Sequence, residues 1–370
     1  MLIVFYAINW KAIPPFIPVL AGIEKNNVFL SVIVPARNEA PNINALLNAL
    51  DRQTYPKHLY EVLVVDDHSD DDTAATVMNH ASSNVRLISL KDFVEADAIN
   101  SYKKKAIEIA LLKAKGDLIV TTDADCTMPA GWLQTIASFY IETKANLMVM
   151  PVVFTNNEKG VGKKFLSIFQ SLDFMVLQGI TGASVFKKAH SMCNGANLAY
   201  TKAAFDAVDG FKGIDTIASG DDMLLMHKIF SKYPDGVKFI SSKEVIVQTA
   251  PMDSVKAFLN QRIRWASKAD KYDDKRITAV LAWVYFFNVW LLILLVAAFF
   301  SLSIAYLVLL LFVAKTLLEL LLLYPVAKFF SNTTLLRYFP LAQPFHICYT
   351  VIAGWLGKFG SYQWKGRRVK

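Results

Sequence analysis

One stretch of this chain constrains its fold more than any other: residues 279–314 contain no Asp, Glu, Lys or Arg. The apolar pattern continues beyond this stretch, interrupted only by Lys315 and Glu319. A helix needs roughly 20 apolar residues to cross a bilayer, so the region is long enough for two crossings, which we place at about 282–302 and 304–327. An ordinary soluble protein is thereby excluded. The residues upstream are numerous enough for one large domain or two small ones.

The overall composition agrees with a chain that is part membrane region and part soluble domain. Hydrophobic residues make up 54% and charged residues 19%, whereas about a quarter of the residues in soluble proteins are charged. The net charge of +8 fits a basic surface beside anionic lipid, and we expect no nucleic-acid partner. The cysteines, Cys126, Cys193 and Cys348, have no CxxC spacing, which argues against a disulfide scaffold or a zinc site.

Three domains are predicted from the ends of the chain inward. Residues 1–28 begin with an apolar run that lacks the basic start and the cleavage site of a signal peptide. We expect a membrane-proximal segment there, either the end of a spanning helix that begins upstream or an interfacial segment. Residues 29–275 form the main domain, and residues 276–370 the membrane region. Within the latter, the apolar stretch 339–357 contains two prolines, which favours an interfacial or re-entrant segment over a third span.

Short apolar runs alternate with amphipathic stretches in the first part of the main domain. Such runs, separated by helices, are typical of buried parallel strands, so we predict a doubly wound, mostly parallel α/β sheet. The predicted strands are 29–35, 61–67, 85–90 and 117–125, with a further strand near 147–154. The predicted helices are 43–52, 72–81, 103–114, 130–143, 160–178, 220–231 and 254–269.

Polar residues follow three of these strands. In parallel sheets the ligand binds beyond the carboxyl ends of the strands, so we expect the three groups to converge on one rim. The groups are Pro35-Ala36-Arg37-Asn38-Glu39, Asp66-Asp67 and Asp123-Ala124-Asp125.

Two of the groups suggest specific chemistry. Asp123 and Asp125, two residues apart on an extended chain, suit Mg²⁺ or Mn²⁺ bridging a diphosphate. At Asp66 and Asp67, one of the two carboxylates could accept a hydrogen bond from a base or a ribose. For all four residues the alternative is an ordinary turn or helix cap.

Two further motifs lie on predicted helices. Asp221 and Asp222 open a helix, where acids commonly act as caps, or one of them acts as a general base. Gln261, Arg264 and Trp265 share one helix face by their i, i+3, i+4 spacing. They form either a lipid-headgroup anchor or a site in which Arg264 holds a leaving diphosphate and Trp265 stacks on a sugar.

The order of these motifs is more specific than any one of them. From about Leu30 onward, P-x-R-N-E, D-D-x-S-x-D, D-x-D, G-D-D and Q-x-x-R-W precede the membrane helices. This order resembles the processive and lipid-modifying family 2 glycosyltransferases, which include the cellulose, chitin and hyaluronan synthases and ceramide glucosyltransferase. The tail Trp364-Lys365-Gly366-Arg367 is similar to the ending of several lipid-directed members.

The resemblance implies a GT-A fold, a nucleotide-sugar donor and Mg²⁺ or Mn²⁺. It implies Asp222 as the catalytic base, although Asp221, which stands where the family often has Glu, leaves that choice open, and it implies that Arg264 stabilises the leaving group. The implied donor-binding residues are Pro35, Arg37, Glu39, Asp66, Asp67, Lys104 and Asp123. The implied acceptor-binding residues are Asn194, Gly195, Gln261 and Trp265, and the implied metal ligands are Asp125 and Asp123.

The expected function is therefore that of a membrane-bound inverting glycosyltransferase with a UDP-linked donor favoured and a lipid or lipid-linked acceptor. The alternatives are a polysaccharide synthase subunit that elongates a β-linked glycan, and a non-catalytic nucleotide-sugar-binding membrane subunit. The basic tail predicts a cytoplasmic C-terminus, on the side of the catalytic domain, in an integral protein of the cell or inner membrane. Envelope-biosynthesis proteins are candidate partners.

Overall fold

The computed structural model describes residues 1–18, 28–95, 101–155, 161–189, 192–217, 219–268, 274–360, 362–364 and 367–369. Its residues fall into two compact units. The sheet unit comprises Pro14–Val153 and Met192–Ala250, and the helical unit comprises Met1–Ile13, Phe154–Ser191 and Pro251–Lys370. The domain boundaries predicted after residues 28 and 275 stay predictions.

Eleven strands and twelve α-helices are described in these ranges. The strands are β1 Leu30–Ala36, β2 Tyr60–Asp66, β3 Val85–Ser89, β4 Leu118–Thr121, β5 Leu147–Val149, β6 Val152–Phe154, β7 Leu198–Thr201, β8 Val237–Phe239, β9 Val247–Thr249, β10 Tyr362–Trp364 and β11 Arg367–Val369. The helices are α1 Leu2–Ala12, α2 Ile43–Asp51, α3 Thr73–Met78, α4 Tyr102–Lys113, α5 Trp132–Thr143, α6 Val161–Phe186, α7 Lys202–Asp206, α8 Met223–Lys232, α9 Val255–Ala266, α10 Lys275–Ala297, α11 Leu302–Phe329 and α12 Phe339–Phe359.

The sheet unit is built on seven strands in the order β3-β2-β1-β4-β7-β5-β8. Strands β1 to β4 are parallel, with Leu30 opposite both Tyr60 and Leu118, while β7 is antiparallel to β4 and β5. The interior of β1 and β2, Val32 and Val64 for example, is fully buried, because helices cover parallel sheets on both faces. The predicted mostly parallel, doubly wound sheet is confirmed.

Proline shapes the sheet at two places. Pro35 has no N–H to donate to a neighbouring strand, and it is tolerated in the central strand β1 because pairing with β4 ends at Ile33. The single strand predicted at 147–154 is wrong. It is two strands, β5 and β6, which belong to different sheets and are separated by Met150 and Pro151.

The fourth strand is shorter than predicted. It ends at Thr121 instead of Asp125, because the chain turns at the carboxylates, where the Cys126 N–H donates to the Asp123 carbonyl at 3.2 Å. Asp123 and Asp125 therefore lie on a turn beyond the strand, not on an extended segment.

The helical unit contains two helices long and apolar enough to cross a membrane, α10 and α11. The connection between them, residues 298–301, lies earlier than the predicted connection near residue 303. Helix α12 fills the third apolar stretch. It buries Gln343 and exposes large apolar side chains such as Leu341, Phe345 and Trp355, and its assignment as an interfacial or re-entrant segment stays a prediction.

Polar and small residues join the helices of this unit. Lys315 and Glu319, four residues apart on α11, form an ion pair with Nζ and Oε1 2.7 Å apart, and Gln343 bonds to both side chains. Gly179 and Gly182 lie one turn apart on α6, where a Cβ atom would collide with Val326 of α11 and with the Trp10 ring of α1. Glycine at these positions lets the helices approach closely.

Candidate functional site

The loops that follow β1 and β2 are hydrogen-bonded to each other at the rim of the sheet. The Asn38 N–H donates to Ser69 Oγ at 3.0 Å, and the Asp70 N–H donates to Asn38 Oδ1 at 2.9 Å. Asn38 and His68 both have positive φ, near +50°, a conformation that Asn tolerates better than most residues. The P-x-R-N-E and D-D-x-S-x-D motifs therefore form one structure.

Arg37 and Asp67 lie at the centre of this structure. Arg37 Nη1 donates to the Asp67 backbone carbonyl at 2.9 Å and lies 3.6 Å from Asp67 Oδ1, which is also 3.1 Å from His68 Nδ1. The Asp67 side chain is almost fully buried. Arg37 and Asp67, both predicted donor-binding residues, are thus in contact.

The other predicted residues of these loops are close in sequence but differ in role. The Glu39 side chain accepts from Asn42 Nδ2 at 2.8 Å, and the Glu39 N–H donates to Thr73 Oγ1 at 2.8 Å. Asp66, the last residue of β2, is buried, and its Oδ1 has no hydrogen-bond partner in the described part of the chain. Since buried polar groups are nearly always paired, Asp66 Oδ1 is an acceptor suited to a ligand. Pro35 is half-buried.

A cluster of charged side chains lies beyond β4. Lys103 Nζ is 2.7 Å from Asp123 Oδ1 and 3.1 Å from Asp221 Oδ2. Burial lowers the pKa of Lys103, but Asp123, Asp221 and Asp222 outweigh it and raise the pKa above its ordinary value. Lys103 is therefore a cation at neutral pH, and it joins the D-x-D motif to the G-D-D motif. We call these four residues the carboxylate cluster.

Lys104, the lysine predicted for the donor site, has a different position. It is 2% exposed, and its Nζ donates to the backbone carbonyls of Ile214, Ile217 and Ser219. These bonds hold the segment that leads to Asp221. The structure therefore brings Lys103, not Lys104, into the cluster, since adjacent residues on a helix point about 100° apart.

Asp222 is both the N-cap of α8 and a support for the Asn194-Gly195 loop. Its Oδ1 accepts from the Met223 N–H at 2.7 Å, and its Oδ2 accepts from the Gly195 N–H at 3.0 Å. The prediction that an acid of the G-D-D motif caps this helix is thus confirmed for Asp222. Each carboxylate oxygen has a second lone pair, so these bonds orient Asp222 without exhausting its capacity to accept a proton.

The Asn194-Gly195 loop lies directly against the cluster. A Cβ atom on Gly195 would be 3.0 Å from Asp221 Oδ2 and 3.2 Å from Lys103 Nζ. Asn194 Oδ1 accepts from the Ala196 N–H at 3.0 Å. Asn197 is fully buried and bonds to Trp132, Pro151 and Val245, so it anchors the loop and does not reach a ligand.

The two carboxylates of the D-x-D motif face different neighbours. Asp123 bonds to Lys103, while Asp125 is exposed, with its Oδ2 3.3 Å from Thr249 Oγ1. Within the described ranges, no three His, Cys, Asp or Glu side chains gather into a preformed metal site. One or two carboxylates nevertheless suffice for Mg²⁺ or Mn²⁺ when phosphate oxygens and water supply the other ligands. Asp123 and Asp125 fit such an ion.

Cys126 lies between these acids and the core. Burial, with Asp125 and Asp123 nearby, raises the pKa of its thiol well above the ordinary value. A nucleophilic or metal-bound cysteine must be a thiolate, so Cys126 is a packing residue.

The Q-x-x-R-W motif lies on α9, in the helical unit. Gln261, Arg264 and Trp265 are each partly exposed there. Arg262, which was not among the predicted site residues, lies between Gln261 and Arg264. It is buried and forms an ion pair with Asp173 of α6 at 2.7 Å. Phe258 and Trp265 lie four positions before Arg262 and three positions after it, so all three share one helix face. This spacing was the sequence signal that could have indicated a role for Arg262.

Comparisons with known proteins agree with the motifs. The model of the family described as "Glycosyl transferase family 2" matches residues 31–208. "Glycosyltransferase AglE" of Haloferax volcanii is 34% identical over 146 residues, which are 39% of this chain and 46% of that protein. "UDP-Glc:alpha-D-GlcNAc-diphosphoundecaprenol beta-1,3-glucosyltransferase WfgD" of Escherichia coli is 28% identical over 141 residues, 37% of this chain and 51% of that one. The chain thus matches about half the length of these relatives.

Solved structures match nearly the whole chain as well. The mannosyltransferase PcManGT from Pyrobaculum calidifontis, in complex with GDP-Man and Mn²⁺, covers 94% of each chain with a TM-score of 0.59 and 22% identity. At this identity the likeness establishes the fold. The fold is therefore that of the GT-A class. The match of residues 31–208 to the family 2 model confirms the resemblance predicted from the motifs.

Proposed function

We propose that this protein is a membrane-bound inverting glycosyltransferase that transfers a sugar from a nucleotide-sugar donor to a hydroxyl of a lipid or lipid-linked acceptor. The carboxylate cluster is the observation that carries the proposal. It places one ammonium group between the acids of the D-x-D and G-D-D motifs, at the edge of the sheet where ligands bind in this class of fold.

The nucleoside is proposed to bind at the interlocked loops after β1 and β2. Arg37 and Asp67 hold these loops together, and the buried Asp66 Oδ1 offers an acceptor for an N–H or O–H group of the base or ribose. Pro35 and Glu39 complete the wall of the pocket. A UDP-linked donor is favoured, as the name of the Escherichia coli relative indicates for that enzyme.

The diphosphate is proposed to bind at Asp123, Asp125 and Lys103. Mg²⁺ or Mn²⁺, held by Asp125 and Asp123, would supply a Lewis acid for the phosphate oxygens. Lys103 adds a positive charge beside the same phosphates, and Arg264 is proposed to stabilise the charge that develops on the leaving group. Electrostatic stabilisation of this kind is usually the largest catalytic contribution, with one preorganised donor worth about a hundredfold to a thousandfold in rate.

Asp222 is proposed as the general base. Lys103 Nζ lies 3.1 Å from Asp221 Oδ2, whereas the Asp222 carboxylate accepts its hydrogen bonds described above from backbone N–H groups. Asp222 therefore keeps lone pairs that can take the proton of the acceptor hydroxyl. The hydroxyl oxygen then bonds to the anomeric carbon as the bond to the diphosphate oxygen breaks. Attack from the opposite face converts an α-linked donor into a β-linked product.

The acceptor is proposed to be a lipid or lipid-linked sugar, with Gln261, Trp265, Asn194 and Gly195 as its binding residues. The Escherichia coli relative is named for a diphosphoundecaprenol acceptor. Helices α10 and α11 are proposed as the membrane anchor, with the catalytic domain and the C-terminus in the cytoplasm. Two apolar spans are few for lining a polysaccharide channel, which favours a lipid acceptor over the polysaccharide synthase alternative.

The test is to incubate membranes that contain the protein with radiolabelled UDP-glucose, UDP-galactose, UDP-N-acetylglucosamine and GDP-mannose in turn. We expect label in the lipid extract with one donor, and loss of at least about a hundredfold with Asp222→Asn while that donor still binds. Label in an insoluble polymer would indicate the polysaccharide synthase. Donor binding without transfer to any acceptor would indicate the non-catalytic subunit.

The matched variant Asp221→Asn decides between the two acids. If Asp221→Asn abolishes transfer and Asp222→Asn turns over normally, Asp221 is the base and our assignment is wrong.

A further inference from the structure

A buried ion pair in the helical unit is not used by the mechanism above. Arg262 of α9 and Asp173 of α6 each expose only 4% of their side chains, and Arg262 Nη2 lies 2.7 Å from Asp173 Oδ2. Replacing such a pair with apolar residues is often neutral or stabilising. The contacts of Arg262 and Asp173 therefore indicate whether the pair has a role beyond stability.

Arg262 contacts two residues of the Q-x-x-R-W motif directly. Its guanidinium lies 4.3 Å from the Trp265 ring centroid and 4.7 Å from that of Phe258, so aromatic rings flank it on the same helix. Its Nη1 donates to Gln261 Oε1 at 2.8 Å. A planar guanidinium can stack on a ring and donate in its own plane at once, and Arg262 thereby sets the orientation of both side chains.

Asp173 holds the guanidinium from the other side. Its second oxygen, Oδ1, accepts from the Tyr349 hydroxyl of α12 at 2.5 Å and lies 3.8 Å from His346 Nε2. Phe169 packs edge-on against both Phe258 and Tyr349. Three helices therefore meet at one carboxylate, which has little freedom to move because its side chain is enclosed.

We propose that Asp173 and Arg262 are positioning residues for the acceptor end of the site. Arg262 fixes Gln261 and Trp265 in the orientation that receives the acceptor, and Asp173 fixes Arg262. The inference rests on the proposed function in one respect, the assignment of Gln261 and Trp265 to the acceptor. It extends the Q-x-x-R-W motif to a residue of α6, 89 positions away from Arg262.

The test compares Arg262→Lys and Asp173→Asn with wild type in detergent, using the labelled nucleotide sugar that the panel selects and a total lipid extract of the host membranes as acceptor. Lysine keeps the charge but not the planar group. Because a misplacement of about 1 Å in an active site costs about a hundredfold, we expect kcat/KM for acceptor transfer to fall about tenfold to a hundredfold. KM for the acceptor rises, while donor affinity changes less than about twofold.

A second measurement does not depend on activity. The fluorescence of Trp265 is obtained by subtracting the spectrum of Trp265→Phe in each background. With Arg262→Lys we expect red-shifted emission and stronger acrylamide quenching of Trp265, since the flanking guanidinium is lost. The control is Arg276→Lys, which alters the exposed pair with Asp274 and leaves both readouts unchanged.

The outcomes separate this inference from the proposed function. If Trp265→Ala leaves acceptor transfer intact, the acceptor assignment fails. If Trp265→Ala abolishes transfer but Arg262→Lys and Asp173→Asn match wild type in kinetics and in Trp265 fluorescence, the positioning role alone is overturned. A fall in thermal stability with unchanged acceptor KM and unchanged fluorescence also overturns it, because the pair would then be structural only.

Discussion

Two groups of charged residues in this protein have opposite character. In the carboxylate cluster of the sheet unit, Lys103 faces three acids, and its partners Asp123 and Asp221 are 38% and 13% exposed. In the helical unit, Arg262 and Asp173 are balanced one to one and are each 4% exposed. A balanced, enclosed pair has little left to offer a ligand. A half-open cluster with surplus negative charge suits a ligand that brings positive charge, such as the metal ion of a metal-bound diphosphate.

The same contrast separates two adjacent lysines. Lys103 lies among carboxylates, whereas the Lys104 ammonium donates to three backbone carbonyls. The two residues are of the same type and are adjacent in the sequence. The difference teaches that position on the helix face, not the presence of a lysine, decides between function and structure.

The largest effect that would test the contrast comes from replacing each lysine by methionine. We expect Lys103→Met to lower kcat/KM for the donor by about a hundredfold or more, with little change in the free energy of unfolding. Lys104→Met leaves three carbonyls without their donor and should lower the free energy of unfolding by roughly 1–3 kcal/mol. Transfer assays and thermal unfolding of both variants provide the measurement. Equal loss of activity at equal stability would contradict the distinction.

A second effect concerns Asp125, the exposed acid of the D-x-D motif. We expect Asp125→Ala to raise the Mn²⁺ concentration needed for half-maximal donor binding by at least about tenfold, since a direct ligand matters no less than the outer partners of a metal site. Donor binding titrated against Mn²⁺ measures it. Asp92→Ala, an exposed acid elsewhere in the sheet unit, is the control. An unchanged titration curve would remove Asp125 from the metal site.

A smaller effect is expected at Gly195. Its missing Cβ leaves room for Asp221 Oδ2 and Lys103 Nζ, and alanine would push both side chains by a few tenths of an ångström. We expect Gly195→Ala to reduce transfer roughly tenfold, since displacements well below 1 Å still affect rate. Gly162→Ala is the matched control, because among the described residues no side chain and no backbone outside its own helix lies within 4 Å of the added Cβ. Full activity of Gly195→Ala would show that the cluster tolerates such shifts.

The smallest effect concerns the loop that links the two rim motifs. Burial raises the pKa of Asp71, but hydrogen bonds from the Thr73 side chain and from the Ala40 and Thr73 backbones outweigh it and lower the pKa below its ordinary value of 3.8. A lowered pKa in the folded state contributes stability above the ordinary value, and this is lost as the pH falls through the folded-state pKa. Thermal unfolding should show Asp71→Asn less stable than wild type at pH 7, with a gap that shrinks below about pH 4. A gap independent of pH would contradict the ionic contribution.

Much of the architecture could be predicted because it depends on local patterns. Strand and helix alternation, the rim motifs, the apolar helices and the Lys315–Glu319 pair each follow from periodicity or from spacing along one element. The details that failed depend on geometry across elements. The fourth strand ended early because its carboxylates lie on a turn, and the strand predicted at 147–154 was divided at Pro151.

The candidate site shows the same division. Spacing alone placed Gln261, Arg264 and Trp265 on one helix face, and motif order predicted the resemblance to family 2 glycosyltransferases. Nothing in the sequence around Arg262 reveals Asp173, since the two meet only when α6 and α9 pack together. The choice of Lys103 over Lys104 depends on how α4 is rotated against the sheet, which its buried residues, such as Ile107 and Leu111, determine through packing.

By itself, then, the sequence determined the class of fold, the resemblance to a family and the presence of two long apolar helices, because hydrophobic periodicity and motif order are properties of the chain in linear order. The tertiary structure decided which lysine enters the carboxylate cluster, which acid caps α8 and supports the Asn194-Gly195 loop, and which arginine contacts Gln261 and Trp265. These depend on a few ångströms and on burial, and both arise only when elements distant in sequence come into contact.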